Sequence, residues 1–166
     1  MLRDLIKNIS NGVPSLNFTG KTVGLVDERG EIAAMYQGVP QNDVGIRTDV
    51  IENIPKSIGM KMLIRSMAPE VIACDEIGSK EDIKAINKAI LSGVKGIFTM
   101  HGKDMEDIKE AANEAIVRGA QNVLVSLGSN GALLINRNGC ISAPAPQGEV
   151  ISSVGAGDAL LAGFIS

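Results

Sequence analysis

The octet VIACDEIG, residues 71–78, contains the first residues whose types and spacing could do chemistry. Its four apolar residues predict a buried strand, and Asp75 and Glu76 come directly after that strand. This order is typical of a Walker B motif, in which the Asp supports the Mg²⁺ shell and the Glu orients or activates the attacking water. From the octet alone, a strand followed by two solvated carboxylates is an equally good interpretation.

A second group of candidate residues lies in SSVGAGDALLAGF, residues 152–164. Gly155, Ala156 and Gly157 are predicted at the start of a helix, where free N–H groups and the helix dipole favour an oxyanion or a phosphate. Asp158 follows at once, and a carboxylate there can accept a hydroxyl proton as phosphoryl transfer begins. Gly-rich helix starts are common, so from the residues alone an ordinary helix start without a ligand is as good an interpretation as an anion site.

The tetrapeptide TGKT, residues 19–22, matches the end of a phosphate-binding P-loop, but its context argues against that function. A P-loop reads G-x-x-x-x-G-K-[ST] and lies between a strand and a helix. Position 15 is Ser15 rather than Gly, and the residues after Thr22 predict a strand. We therefore interpret TGKT as a loop that leads into a strand, with Lys21 at the surface.

Composition narrows the class of protein. The chain has 166 residues, of which 45% are hydrophobic and 21% charged, and this predicts one ordinary globular core. A net charge of -3 and 2% aromatic residues argue against nucleic-acid partners. No apolar run reaches the ~18–20 residues of a membrane span, so we expect no membrane span and a cytoplasmic location. Cys74 and Cys140 favour reduced thiols over a disulfide or a metal site.

The elements that must position these residues alternate between helices and strands. Helices are predicted over 2–9, 58–67, 80–91 and 106–118, with Ser79 as the cap of the helix at 80–91. Strands are predicted over 22–26, 71–76, 96–99 and 122–127. The polar segment 27–56 is predicted as an irregular loop that carries function, and Asn138 and Gly139 as the turn of a hairpin. This alternation of strands and helices predicts an α/β fold with a mainly parallel sheet flanked by helices. We also expect the helix between the strands at 96–99 and 122–127 to be a crossover connection.

Three stretches together indicate a family: VDERGEIAAMYQGVPQNDVGIRTDV, MKMLIRSMAPEVIACDEIG and FTMHG. They resemble the stage III sporulation protein AA ATPases of spore-forming bacteria, relatives of the secretion ATPases, over about residues 1–108. The resemblance implies ATP and Mg²⁺ as cofactors. It also implies that Asp75 and Glu76 are the Walker B carboxylates, with Asp75 binding Mg²⁺ through water and Glu76 catalytic.

The same resemblance implies further site residues. Glu28 and Glu31 match an acidic box beside the nucleotide, with Glu28 as a catalytic candidate. His101 matches a His that follows the next strand, and Arg47 and Arg65 are candidates to touch phosphate across a subunit boundary. For each of these residues a solvated or structural side chain is the plain alternative.

The sequence departs from that family at the P-loop, which binds the phosphates of the nucleotide. In the family, the segment similar to LRDLIKNISNG is the helix directly after the P-loop, and here that segment begins at Leu2. We therefore expect the Gly-Lys-Thr cradle to be missing from this chain. Without the backbone N–H groups and the Lys of the cradle, the γ-phosphate loses its main electrostatic ligands, so we expect very weak or no ATP hydrolysis.

The motif NVLVSLGSNGALLI, together with VGAGD, resembles a second family over about residues 106–166. These are the ribokinase-like PfkB sugar kinases, in particular the fructose-1-phosphate and tagatose-6-phosphate kinases. The resemblance implies Asp158 as the catalytic base and Gly155, Ala156 and Gly157 as the anion hole. It places Ser126 and Gly128 near the nucleotide. We expect the family's sugar-binding half, its lid and its adenine-binding region to be missing.

The sequence thus predicts a hybrid of two truncated α/β parts. Residues 1–108 form a RecA-like P-loop ATPase core without its P-loop, and residues 109–166 form a kinase segment with an anion hole, joined within a helix at about 104–112. The leading function is a chimeric ATP-binding-type protein with little hydrolysis. The alternatives are a sugar-phosphate kinase and a non-catalytic sporulation assembly or scaffold protein. The implied partners are a nucleotide and either a second copy of the chain or a secretion-like complex.

Overall fold

The computed structural model describes residues 2–99, 105–117, 122–127 and 130–145. The chain divides into two compact units, one over residues 2–101 and the other over the remaining residues. In the described residues, no helix has both the length and the apolar character needed to cross a membrane.

The first unit begins with α1 and ends with β8. Its elements are α1 (Leu2–Asn11), β1 (Gly12–Val13), a 3₁₀ turn (Pro14–Leu16), β2 (Phe18–Thr19), β3 (Val23–Asp27), β4 (Met35–Tyr36), β5 (Val39–Pro40), β6 (Thr48–Glu52), α2 (Lys56–Ser66), β7 (Val71–Cys74), α3 (Lys80–Leu91) and β8 (Lys95–Phe98). The pairs β1–β2 and β4–β5 are short antiparallel ribbons.

A four-stranded parallel sheet forms the centre of this unit, with the strand order β6-β3-β7-β8. Val23 of β3 lies opposite Thr48 on one side and Val71 on the other, and Val71 lies opposite Lys95. Because all four strands run the same way, their carboxyl ends meet at one edge of the sheet, which we call the carboxyl edge. The strands β3 and β7 are fully buried.

Helices cover both faces of the sheet, because successive side chains of a strand point to opposite faces. On one face, Ile6 of α1 packs with Val23, Leu25, Val71 and Ala73. On the other face, α2 and α3 contribute the buried residues Met60, Leu63, Ala85 and Ala89, which pack with Val26, Ile72 and Cys74. The resulting three layers explain why β3 and β7 carry apolar residues in both alternating positions.

Two glycines bring α2 close to β3. A Cβ atom added at Gly59 of α2 would lie 2.6 Å from Val26 Cγ1, and one added at Gly24 of β3 would lie 3.2 Å from Leu63 Cδ1. The missing side chains therefore allow a close helix-to-strand contact. Since α2 follows β6, the first residue of this helix, Lys56, lies at the carboxyl edge.

The start of α3 confirms a prediction from sequence. The helix spans Lys80–Leu91, and Ser79 is its N-cap: the Ser79 hydroxyl accepts the Asp82 N–H, and the Asp82 carboxylate accepts the Ser79 N–H. This reciprocal capping box satisfies two N–H groups that would otherwise have no partner at the helix start. It also fixes the chain directly after Asp75 and Glu76.

The second unit contains α4 (Met105–Val117) and three strands, β9 (Asn122–Ser126), β10 (Ala132–Asn136) and β11 (Gly139–Ala143). The strands form an antiparallel sheet in the order β11-β10-β9. Ala112 and Ile116 of α4 pack with Leu133 and Ile135 of β10. The hairpin turn after Asn136 confirms the prediction made from Asn138 and Gly139.

The predicted α/β class with a parallel sheet flanked by helices is confirmed, with two local corrections. The segment 27–56 is not wholly irregular, since it contains the parallel strand β6; the TDVIE pattern of this edge strand is half-exposed and lacks a continuous apolar run. The predicted crossover from β8 to β9 is wrong in the described residues, because β9 pairs with β10 in a separate antiparallel sheet. The long apolar run of β9 signalled a strand but not its partner.

Candidate functional site

The carboxyl edge of the parallel sheet gathers three residues predicted to be functional, Glu28, Asp75 and Glu76, together with polar residues that were not predicted. Asp27 ends β3, and Asp75 and Thr99 directly follow β7 and β8. Val26 and Cys74 are opposite each other in the sheet, so the residues that follow them lie side by side. Open parallel sheets bind their ligands at this edge, where loops and helix N-termini meet.

Asp27 shapes the acidic segment that follows β3. Its carboxylate is fully buried and accepts hydrogen bonds from the backbone N–H groups of Glu31, Ile32 and Ala33, at 3.0, 3.0 and 2.8 Å. Three N–H donors offset the cost of burying a charged carboxylate. The segment therefore has a fixed turn that presents Glu28 at the carboxyl edge and leaves the Glu31 side chain exposed.

Glu28 is held by a buried cation. Its Oε2 atom accepts a hydrogen bond from Nζ of Lys56, whose side chain is 8% exposed. Burial disfavours the ammonium, but the hydrogen bond to Glu28 and the charges of Glu28, Asp75 and Asp82 outweigh it, so the pKa of Lys56 is raised. The predicted catalytic Glu28 is thus one half of an ion pair in this structure.

Asp75 and Glu76 have different surroundings although they are neighbours in sequence. Asp75 Oδ1 is buried and has no hydrogen-bond partner among the described residues. Glu76 Oε2 lies 2.7 Å from Arg29 Nη1, so its carboxylate is paired with a half-exposed guanidinium. The backbone of Glu76 has a φ of +43°, which is an uncommon value for a residue other than glycine.

Thr99 stabilises this uncommon backbone. The Glu76 N–H donates to Thr99 Oγ1 at 2.9 Å, and the Ile77 N–H donates to the Thr99 carbonyl at 2.8 Å. Both bonds join the residues after β7 to the residue after β8. They fix the direction in which the Glu76 side chain leaves the sheet, which is toward Arg29.

Whether the carboxyl edge can hold Mg²⁺ depends on which of its oxygen atoms are available as ligands. The described residues contain no group of three or more His, Cys, Asp or Glu side chains arranged to hold a metal ion. Asp75 Oδ1, however, is an oxygen that lacks a partner, and Mg²⁺ in phosphoryl-transfer sites commonly takes one or two carboxylates and keeps several waters. The residues therefore fit a Mg²⁺ ion that Asp75 would hold through water, with other waters or a phosphate completing its coordination.

The two predicted arginines do not join this group within one chain. Arg47 precedes β6 and is therefore at the opposite edge of the sheet, where its Nη1 donates to the Ser10 carbonyl at 3.0 Å. Arg65 lies in the last turn of α2 and is exposed. The residues after Arg65 line a groove with Asp49 at the start of β6, so Arg65 is also far from the carboxyl edge.

Lys21 of the TGKT tetrapeptide is at the surface, as predicted. Its Nζ lies 2.9 Å from Glu70 Oε1, and both side chains are about half-exposed. Glu70 also accepts the Thr22 N–H, and these contacts hold the pKa of Glu70 below its usual value, chiefly through the hydrogen bond from Lys21. This tetrapeptide joins β2 to β3 and forms no phosphate loop.

Several predicted site residues lie outside the described part of the chain. They are His101, Gly128, Gly155, Ala156, Gly157 and Asp158. The backbone of Ser126 belongs to β9, but its side chain is also outside the description. The predicted anion hole and its base therefore stay predictions.

Four residues of the carboxyl edge were not singled out from sequence. Asp27, Arg29 and Thr99 lie within quoted motifs, and the position of Asp27 and Thr99 at strand ends is a usable signal. Lys56 carries no such signal, because a Lys after a Pro is ordinary in sequence. Only the packing of α2 on β3 shows that this Lys is buried.

Fold and site together define the class: an open parallel α/β unit with an acidic carboxyl edge. The family described as "Sporulation stage III, protein AA" matches residues 1–132. The chain is 44% identical over 108 residues to "Stage III sporulation protein AA" of Bacillus subtilis, an alignment that covers 65% of this chain and 34% of that protein. The chain belongs to the sporulation stage III protein AA family.

Sugar kinases match part of the chain as well. The chain is 50% identical over 60 residues to a 1-phosphofructokinase of Haloferax volcanii, which is 36% of this chain and 20% of that enzyme. A 1-phosphofructokinase of Haemophilus influenzae is 32% identical over 123 residues, covering 62% and 39%. The partial resemblance to PfkB kinases is therefore present in addition to the family match.

A solved structure, the aminoimidazole riboside kinase of Salmonella enterica, aligns with 88% of this chain and 70% of that one, at a TM-score of 0.41 and 17% identity. A score of this size adds nothing to the topology already described. The chain spans about a third of the Bacillus relative and smaller or similar parts of the kinases.

Proposed function

We propose that the carboxyl edge of the first unit is a nucleotide site of the ATPase type, in which a Mg²⁺ ion binds at Asp75. One observation supports the proposal above the others: Asp75 Oδ1 is buried, lacks a partner among the described residues and lies directly after a central parallel strand. A carboxylate oxygen in that position is costly unless something completes its coordination.

Each residue of the edge has a role in this proposal. Mg²⁺, when bound, offsets the negative charge of the phosphates. Asp75 would hold the ion through water, and Glu76 would orient a water after its carboxylate separates from Arg29. Glu28 borders the nucleotide and is positioned by Lys56. Asp27 keeps the whole acidic segment in its turn.

We further propose that this 166-residue chain hydrolyses ATP weakly or not at all. The 166 residues contain no G-x-x-x-x-G-K-[ST] motif. Lys21 of TGKT forms an ion pair with Glu70 at the edge of the sheet where β3 begins, opposite the carboxyl edge. The described carboxyl edge thus offers carboxylates for a metal, and the sequence offers no P-loop beside them, although P-loops supply much of the electrostatic stabilisation in this type of phosphoryl transfer.

Nucleotide binding tests the proposal without requiring turnover. A fluorescent ATP analogue is titrated into the chain with Mg²⁺ and with EDTA. We expect weak binding that Mg²⁺ strengthens, and we expect Asp75→Asn to abolish the Mg²⁺-dependent part. Asp49→Asn, a change at an exposed position of β6, is the matched control and should bind like the wild type. If Asp75→Asn retains the full Mg²⁺ effect, the proposed site is wrong.

A phosphate-release assay then separates ATPase from kinase chemistry. Turnover without sugar that is lost in Glu76→Gln would show that other groups replace the P-loop in binding the phosphates.

The second candidate function, a PfkB-type sugar-phosphate kinase, is favoured by the partial identity to the 1-phosphofructokinases. It predicts ATP consumption that depends on a phosphorylated ketohexose and is abolished by Asp158→Ala but not by Glu76→Gln.

The third candidate is a non-catalytic assembly or scaffold protein in sporulation, which uses the ATPase-like surface for contacts with a second copy or a secretion-like complex. The family match supports this candidate without distinguishing it from the first. It predicts self-association in sedimentation velocity that neither ATP nor Asp75→Asn changes. In all three candidates the joining of the two parts near residues 104–112, and a cytoplasmic location, belong to the proposal.

A further inference from the structure

Lys56 is a buried cation in a position that is unfavourable by itself. It is the first residue of α2, where the helix dipole repels a positive charge, and it is only 7% exposed. The N-cap residue, Pro55, makes no side-chain cap hydrogen bond. A Lys in this place therefore needs carboxylates to compensate for both the dipole and the lost water.

The compensation comes from three different elements. Glu28 follows β3 and forms the direct ion pair. Asp75 follows β7, and Asp82 belongs to the first turn of α3, and both interact with the Lys56 charge. The close approach of Gly59 to Val26 packs α2 onto β3, which places Lys56 at the carboxyl edge beside Glu28.

The local charge balance leaves an excess of carboxylates. Among the described residues, the charges of Glu28, Asp75 and Asp82 stabilise the Lys56 ammonium, and of these three carboxylates it hydrogen-bonds to Glu28. Asp75 Oδ1 has no hydrogen-bond partner among the described residues, although the charges of Asp75 and Lys56 interact. The ammonium therefore competes electrostatically with any second cation that approaches Asp75.

We propose that Lys56 is a positioning residue that sets how tightly the carboxyl edge binds a divalent cation, by engaging Glu28 and by offsetting negative charge around Asp75. The inference rests on the proposed function, in which Asp75 holds Mg²⁺. It assigns Lys56 and Glu28 opposite effects on cation binding, although they form one ion pair. A purely structural ion pair would not have this property, because the loss of either partner would disturb the same local structure.

The test measures Mn²⁺ binding to the full chain from the electron paramagnetic resonance signal of free Mn²⁺. We expect Lys56→Met to strengthen Mn²⁺ binding roughly tenfold, because the change removes one positive charge that acts on Asp75 in a partly buried environment. Lys56→Arg should stay near the wild type. Lys61→Met, which removes the same charge from an exposed position of the same helix, is the matched control and should change binding little.

Glu28→Gln provides the second arm and decides the outcome if Lys56→Met fails to fold. This change removes a negative charge and releases the Lys56 ammonium, so we expect several-fold weaker Mn²⁺ binding. Lys56→Met with unchanged or weaker binding would overturn the inference, as would Glu28→Gln with unchanged or tighter binding. Circular dichroism of each variant identifies any loss of fold.

Asp75→Asn distinguishes failure of the inference from failure of the proposed function. If Asp75→Asn weakens Mn²⁺ binding while Lys56→Met does not strengthen it, only the role of Lys56 is wrong. If Asp75→Asn changes nothing in either the wild type or the Lys56→Met background, the ion binds elsewhere. Both the proposed site and the inference would then be rejected.

Discussion

Asp27 shows how a single buried side chain can organise a functional loop. Its two carboxylate oxygens take three backbone N–H groups, so the acidic segment after β3 turns back on the end of its own strand. Glu28 then reaches Lys56, and Arg29 reaches Glu76. Asp27, which was not predicted to be functional, therefore positions Glu28 and the partner of Glu76, the two glutamates that were predicted to be catalytic.

We expect Asp27→Asn to destabilise the first unit by about 2–4 kcal/mol, because an amide NH₂ would face backbone N–H donors that need an acceptor. Urea denaturation followed by circular dichroism measures the change. Asp49→Asn, at an exposed position of β6, should change the free energy of unfolding by less than about 0.5 kcal/mol. Equal stabilities of the two variants would contradict the role given to Asp27.

The two cysteines should differ strongly in reactivity. Burial, the largest cause, raises the pKa of Cys74 to about 12, whereas Cys140 is exposed on β11. Because thiolates are the reactive species, a disulfide reagent at pH 8 should label Cys140 quickly and Cys74 only after unfolding. Cys140→Ser should leave no fast-reacting thiol, and a fast phase that persists in this variant would contradict the burial of Cys74.

The same pKa has a consequence for stability. The unfolded thiol loses its proton near its ordinary pKa of 9.0, while folded Cys74 keeps its proton until about 12. The unfolded state therefore binds fewer protons between these values, so this group lowers stability as the pH rises from 9 toward 12. Its contribution is fully present below pH 9.

At the level of the elements, the contact between α2 and β3 decides the geometry of the site. Gly24 and Gly59 allow the helix axis to approach the strand, and this contact places the helix start at the carboxyl edge. Each glycine weakens its own element slightly, and packing offsets that loss. The helix start then positions Lys56 where no pattern in the sequence predicted it.

We expect Gly59→Ala to destabilise the first unit by about 1–2 kcal/mol, since the new Cβ would overlap Val26 and force α2 away from β3. This outcome opposes the gain of up to about 1 kcal/mol that Ala normally brings to a helix. Thermal or urea unfolding measures it, and Lys61→Ala on the exposed side of the same helix is the control. A stabilised Gly59→Ala variant would show that the close contact is not present in solution.

Local sequence signals predicted the single elements well and their partners less well. The helix at 80–91 and its Ser79 cap follow from residues within one turn, and the structure agrees with both. The strand β6 escaped prediction because an edge strand needs only one apolar face and has a short, mixed sequence. The crossover to β9 was wrong because a strand's apolar run does not specify which sheet it joins.

At the scale of the whole molecule, the two units differ in architecture. The first has a parallel sheet with helices on both faces, and the second has an antiparallel sheet in contact with α4. The family match covers residues 1–132 and so includes all of the first unit and part of the second. The predicted division at residue 108 stays a prediction.

The position of strands in the parallel sheet predicts a ranking of hydrogen exchange. We expect the backbone amides of β3 and β7, which have a neighbouring strand on each side, to exchange more slowly than those of the outer strands β6 and β8. Exchange measured by mass spectrometry on short peptides, corrected for intrinsic rates, checks this. Exchange of β3 as fast as that of β6 would contradict the strand order.

The sequence by itself determined the α/β class, the central strands, the capped helix α3 and the pair of carboxylates at Asp75 and Glu76. These features depend on local periodicity and on the order of residues along the chain. Only the tertiary structure decided that Arg47 and Arg65 lie away from these carboxylates. It also decided that Lys56 pairs with Glu28 and that Arg29 pairs with Glu76. The physical reason is that charges are arranged by sheet order and helix packing, which bring together residues far apart in sequence.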